Sequence, residues 1–317
     1  MRSATATLVA VLAAGCGEAA PAPWTAVTFN TGTTLGLGHD RAPDDGYGEA
    51  QAELSDAWYG DGLAWRRAVD DTAAFFASVQ PDVVAFQEIF YSGECGAVPE
   101  EARAGFVCET WAAGDPTVAQ VVLGAGYQVA CHSGKPDKCV GVRRAFGTIE
   151  GCDDELCLDG LEGEKVEGCG GGARVARARV RRADGAALTV VSVHGSSGVA
   201  PEDQACRVAQ FQQAFALVTD DPTLVMGDLN TDPVRLYDGD ESAGAFRRGA
   251  VAAGLEFITA VGEDAPPTYG GLFDIDHVLG RGLAGSCWVA GVSAGRPAVT
   301  DMVYFDHKPH VCVVGAE

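Results

Sequence analysis

Side chains able to do acid–base or cation chemistry recur in this sequence at one kind of place, the end of a short apolar run. Trp24 to Thr31 carries Asn30, and Asp82 to Ile89 carries Glu88. Leu188 to His194 ends on His194, and Thr223 to Asp228 ends on Asp228 with Asn230 two residues beyond. Asp276 lies in the run Asp274 to Leu279, and Asp306 with His307 stands just before His310 to Val314. A lone Asp or Asn at such an end is usually a turn or cap residue. The collection is another matter, because it holds carboxylates, amides and imidazoles and no Ser or Cys. Such groups transfer protons, donate hydrogen bonds and bind hard cations; they are not covalent nucleophiles. A strand end also suits the task, since it fixes a side chain at the edge of a core while leaving it open to substrate.

The elements that must hold these residues are legible in outline. Trp65, Val69, Thr72, Phe76 and Val79 fall at alternating steps of four and three, one face of a helix running from about Asp61, which could cap it, to Pro81. A second helix is expected from about Glu202 to Val218, with Val208, Phe211, Phe215 and Val218 on its buried face, and a third near Glu241 to Gly254. Further strands are expected at Tyr127 to His132, Cys139 to Arg144, Ala173 to Ala183, Glu256 to Val261 and Cys287 to Ser293. Residues 32 to 60 read as an irregular surface loop and residues 147 to 172 as a Cys-rich, disulfide-tied insertion. Many strands with few interspersed helices predict an α+β arrangement of two packed sheets covered by helices. The chain has 317 residues with no repeat or linker, so one domain from about residue 24 to 317 is expected.

The strings TFNTG, AFQE, SVHGSS, VMGDLNTDP, DIDHV and FDHKP, in that order, resemble the motif set of the endonuclease/exonuclease/phosphatase superfamily. The pairing of G-D-x-N with a later D-H-x-P is the most discriminating part. The resemblance implies a four-layer α/β/β/α sandwich with two mainly antiparallel sheets, and a metal-dependent attack of water on phosphorus without a covalent intermediate. It assigns Glu88 and Asn30 to a divalent ion, Mg²⁺ or alternatively Ca²⁺ or Mn²⁺, with Asp306 beside it. Asp228 would orient or activate the water and Asn230 would donate to a phosphate oxygen. His307 would be the catalytic histidine, with Asp276 as its carboxylate partner. His194 matches a second histidine of the deoxyribonuclease and sphingomyelinase branches. In deoxyribonucleases that histidine pairs with a glutamate, for which Glu150 is a candidate here. Thr268 resembles a structural threonine, and His277 should face the core. Phe305 and His310 depart from the family pattern and alter the rim of the site.

Composition bears on compartment and partners. Arg2, the apolar stretch Ala4 to Ala14 and the sequence Leu12-Ala13-Ala14-Gly15-Cys16 resemble a lipobox-type export signal, with plain secretion as the alternative. The chain has 11 cysteines, and setting Cys16 aside leaves an even set that suits disulfides in an oxidising compartment. Cys95 with Cys108, Cys131 with Cys139 and Cys287 with Cys312 are the expected local pairs. A net charge of −22 disfavours non-specific attraction to nucleic acid. A patch of Arg174, Arg177, Arg179, Arg181 and Arg182 could still serve such a substrate. The expectation is an exported, monomeric phosphodiesterase acting on nucleic acid, attached to a membrane if Cys16 is lipidated. A sphingomyelinase-like phospholipase, a phosphomonoesterase and a catalytically silent surface lipoprotein are the alternatives.

Overall fold

In the computed structural model, which describes residues 22–33, 46–299 and 304–316, the first apolar run forms β1 (Trp24–Asn30) at the heart of a seven-stranded sheet. Cys16 and the rest of the expected signal lie outside the described residues. β1 runs parallel to β2 (Val83–Gln87), and β2 pairs antiparallel with β4 (Lys135–Arg143). β4 pairs with β3 (Tyr127–His132), which carries the two-residue β6 (Leu156–Cys157) at the edge. On its other side β1 meets β13 (His310–Ala316), and β13 meets β12 (Leu283–Val289), both antiparallel.

The second sheet has six strands. Its order is β10 (Glu256–Phe257), β11 (Asp276–Arg281), β9 (Thr223–Asp228), β8 (Ala187–His194), β7 (Val175–Arg182) and β5 (Gly147–Ile149). Only β8 and β9 are parallel. Both sheets are therefore mixed but mainly antiparallel, as expected.

The period-two alternation of the strands creates three apolar layers. Val84 and Phe86 of β2 face helices α1 (Glu49–Leu54), α2 (Arg66–Val79) and α3 (Val118–Leu123), packing with Phe75 and Phe76. Val83 and Ala85 face the other way, into the inter-sheet core with Val190, Met226 and Val278. Across the second sheet, Val191, Val193 and Val225 pack on Phe211 of α4 (Pro201–Ala216) and Phe246 of α5 (Glu241–Ala252). Helix, sheet, sheet and helix follow in that order, the arrangement the motifs implied. Burying one Phe contributes roughly 1.5–3 kcal/mol, so these layers dominate the fold's stabilisation.

Local expectations fared unevenly. α2 begins at Arg66 behind an extended Trp65, and Asp61 does not cap it but sits in a left-handed conformation at φ +56°. The supposed loop 32–60 contains α1 and a five-residue π-turn, Ser55–Tyr59. Tyr47, Ala52 and Tyr59 bury themselves against the core, an aromatic anchor that outweighs the Gly- and Asp-rich composition. The strand expected over Glu256 to Val261 shortens to two residues. The three expected disulfides form, together with Cys152–Cys157 and Cys169–Cys206; the last ties the 147–172 insertion to α4.

Candidate active site

Strand register sets the row on which the site is built. His194 of β8 lies directly opposite Asp228 of β9, and Asp228 directly opposite Asp276 of β11. Directly opposed residues share a face about 4.5–5.5 Å apart, so three polar side chains stand side by side at one sheet end. Such a close pairing needs glycine next to it: a Cβ on Gly227, at φ +146°, would fall 1.9 Å from the Val193 carbonyl oxygen. From the other sheet, Asn30 reaches across at the end of β1. Its Nδ2 donates to Asp228 Oδ2 at 2.9 Å, and its Oδ1 accepts from Gly32 N at 2.9 Å.

His307 completes the centre. Its Nδ1 meets Asp276 Oδ2 at 2.7 Å, and its Nε2 lies 3.8 Å from Asp228 Oδ2. The strand-like segment around it is pinned on both sides, by Asp306 N donating to Gly32 O and by Lys308 N donating to Thr268 O. Thr268 Oγ1 also accepts from Ile275 N and Asp276 N at 3.2 Å, the structural role expected of it. Asn230, at φ +51°, folds back on Asp228: its N donates to Oδ1 at 2.7 Å and its Nδ2 to Oδ2 at 2.9 Å. The second Nδ2 hydrogen goes to Gly195 O at 3.1 Å. Both amide hydrogens are thus committed to holding Asp228 and the Gly195 loop.

Glu88, at φ +57°, turns its carboxylate into the same space, with Oε1 3.4 Å from His194 Nε2. Left-handed non-glycine residues cost about 1–3 kcal/mol and cluster at functional sites. A Cβ placed on Gly32 would lie 2.1 Å from Glu88 Oε2, 3.2 Å from Asn30 Oδ1 and 3.3 Å from Asp306 Oδ1. Three hard oxygen donors therefore converge over a glycine that keeps their common space open, a donor set that fits Mg²⁺ or a similar ion. Asp228, Asp276 and His307 also offer ligand atoms within 4.8 Å of one another, a second grouping compatible with a divalent cation. There the Asp276–His307 contact is already a hydrogen bond, whereas the oxygens around Gly32 are the hard donors an ion such as Mg²⁺ takes.

The electrostatics separate the two histidines. Burial works against charge on His307, but Asp276, Asp228 and Asp306 outweigh it and push its pKa up to about 10. His194 is held well below its ordinary value by burial and by the cations Lys138 and Arg174. Burial raises Asp228 to about 7 despite the opposing His307 charge. It also raises Glu88 to about 7, with Asp306 and Asp228 adding and His307 and Lys138 opposing. Burial would raise Asp276 too, yet the His307 charge and hydrogen bond bring it below its usual value.

All eight anticipated side chains converge. The secondary expectations divide. Glu150 is not the partner of His194; it binds Arg181 at 2.7 Å on the surface. His194 Nδ1 is buried with no hydrogen-bond partner among the described residues. The arginine patch is largely neutralised, Arg177 and Arg179 by Glu162 and Arg182 by Asp184. Only Arg174 turns to the site, donating to Gly195 O at 3.0 Å. His277 faces the core, as expected, against Thr259. His310 answers Asp274 at 3.4 Å behind the dyad, which accounts for a polar residue where the family has an apolar one. Two neighbours gave no readable signal. Tyr269 lays its ring 4.8 Å from that of His307, and Lys138 is 1% exposed beside Asp137.

Two mixed sheets flanked by helices, with a buried Asp/His cluster at their shared edge, define a hydrolase scaffold with a candidate metal site. The model of the Endonuclease/Exonuclease/phosphatase family matches residues 27–298, and the chain belongs to that family. Its fold is similar to an endonuclease/exonuclease/phosphatase from Beutenbergia cavernae DSM 12333, with a TM-score of 0.56 and 15% identity over 93% of this chain and 72% of that one. A humanized D. rerio TDP2 gives 0.54 and 14%, over 93% and 99% of the two chains. The human Nocturnin catalytic domain with bound sulfate anion gives 0.54 and 13%, over 93% and 94%. No sequence among curated proteins matches the chain.

Proposed function

We propose that the protein is a divalent-metal-dependent phosphodiesterase of the extracytoplasmic space, acting on nucleic acid. One observation carries the reading: Asp228 Oδ2 lies at the centre of Asn30, Asn230, His194 and His307, with the acidic cradle of Glu88 and Asp306 alongside. Family membership supports a phosphoester substrate. Five disulfides support an oxidising compartment.

Glu88, Asn30 and Asp306 would hold the ion. When bound, it neutralises charge on the phosphate and lowers the barrier to attack. Asp228, with a pKa of about 7, is matched to take a proton from water near neutral pH. The water oxygen forms the new bond to phosphorus as the opposite P–O bond breaks. Asn230 keeps Asp228 in place. His307, cationic and fixed through Nδ1 by Asp276, presents Nε2–H to a phosphate oxygen. His194, neutral in the folded protein and beside Asp228, would donate to a phosphate oxygen, while the leaving oxygen takes its proton from solvent.

Purified protein with Mg²⁺, Mn²⁺ or Ca²⁺ should cleave plasmid DNA or RNA in preference to sphingomyelin vesicles and sugar phosphates. Activity should be lost with EDTA and in His307→Ala. Wild-type rates no higher than those of His307→Ala on every substrate and ion would refute an enzymatic role.

A further inference from the structure

Beside Glu88, on the side away from His307, lies a cavity of about 260 Å³ that the catalytic arrangement does not use. Trp58, Phe90 and Tyr91 supply its aromatic walls, and Glu94, Lys135 and Asp137 its polar edge. Trp58 is 47% exposed, conspicuous for so large an apolar side chain, and belongs to the π-turn Ser55–Tyr59. Single π-turns are rare and concentrate at functional sites.

The wall is rigid. Tyr59 stacks on Phe106 at 4.3 Å, packs edge-on to Phe90 at 5.0 Å and donates its hydroxyl to Ala102 O at 3.0 Å. Directly after Glu88, Ile89 N donates to Asp137 O at 2.9 Å, which locks the cavity's two sides together. The lining carries three carboxylates, Glu88, Glu94 and Asp137, and one cation, Lys135. Asp137 is shared by Lys135 at 3.4 Å and Lys138 at 2.9 Å. The aromatic walls accept a flat ring, while the carboxylates and Lys135 offer acceptors and a donor to its hydrogen-bonding edge.

We propose that this cavity is a stacking subsite for a nucleobase attached to the phosphate being cleaved, with Trp58 as its platform. The inference rests on the phosphodiesterase reading above and adds to it the side chain that would hold the base. A phosphodiester has two arms, and Glu88, shared by the cavity and the site, places the cavity where one arm leaves the phosphorus. Stacking on an aromatic face accepts any base, so the subsite favours nucleic acid without reading its sequence.

The test uses the full chain with Mg²⁺ and short oligonucleotides whose single cleavable linkage is flanked by a base or by an abasic residue. Wild type should prefer the base-bearing linkage by about tenfold in kcat/KM, in line with base stacking elsewhere. Trp58→Ala should bring that ratio close to one, and Trp58→Phe should restore most of it. An unchanged ratio in Trp58→Ala would overturn the proposal. So would p-nitrophenyl phosphorylcholine turnover that depends on Trp58 when base-bearing turnover does not. Should no oligonucleotide be cleaved, the nucleic-acid part of that reading fails. Binding then decides the subsite: quenching of tryptophan fluorescence by the base-bearing dinucleotide, lost in Trp58→Ala, supports it, and no binding overturns it.

Discussion

Arg207 offers a sharp test of how the site is held. Its side chain is 1% exposed inside α4, and Nη2 meets Asp240 Oδ2 at 2.9 Å. Nε donates to Ser242 Oγ at 2.7 Å, and Nη1 to the carbonyls of Ser196 and Gly198 at 2.8 and 2.7 Å. Asp240 in turn accepts from Thr231 Oγ1 and caps α5 through Ser242 N. Ser196 follows His194 by two residues and Thr231 follows Asn230 directly, so one guanidinium ties both loops of the candidate site to one point. Arg207→Met leaves the Asp240 charge without its counter-ion and two carbonyls without their donor, and removing one member of a buried pair costs about 3–5 kcal/mol. At about 2–4 °C per kcal/mol for a large domain, the melting temperature should fall by roughly 6–20 °C. Asp240, though burial opposes it, is held below its usual pKa by Ser242, Thr231 and Arg207. Its contribution is therefore present above the unfolded carboxylate value and lost as pH falls through the lower folded one, so the deficit should shrink at acid pH. Guanidinium unfolding of the disulfide-intact protein at pH 7 measures the effect. Arg207→Met/Asp240→Leu should be less destabilised than the sum of the single changes, because the unpaired charge is gone while the cap and the donors to the two carbonyls remain lost. A single-variant cost under about 1 kcal/mol, or singles that add within about 0.5 kcal/mol, would refute the clamp.

Asp276→Asn should lower kcat by about 10²–10⁴-fold with little change in KM, because the imidazole loses the carboxylate that charges and aims it; steady-state kinetics on the best oligonucleotide decide it. Gly32→Ala puts a methyl group among Glu88, Asn30 and Asp306 and should abolish the rise in melting temperature that Mg²⁺ gives the wild type, while circular dichroism stays unchanged. His132, lowered to about 3 chiefly by burial and then by Lys138, stays neutral in the folded state. Its contribution is complete above about pH 6.5 and drains away as pH falls toward 3, so His132→Phe should show a shallower loss of stability over that window in urea titrations at pH 7, 5 and 4.

The sequence disclosed the polar row of the candidate site because each member terminates an apolar run, and an apolar run bounded by turn signals can be read without knowing its neighbours. What it could not disclose was register. That His194, Asp228 and Asp276 stand abreast depends on β8, β9 and β11 pairing in step, and that pairing is a property of the sheet as a whole. The same reason hid Lys138, Tyr269 and Arg207, whose neighbours in sequence give no hint of their neighbours in space. Glu150 and the arginine patch show the converse error. Charges at strand-like positions looked available for chemistry, yet on the exposed face of β7 they satisfy one another. The loop before α2 misled in a third way: composition predicted solvation, whereas Tyr47 and Tyr59 have enough apolar surface to draw the segment inward. Its π-turn then sets Trp58 beside Glu88. The candidate site's residues are thus written in local patterns, and their surroundings arise from tertiary packing.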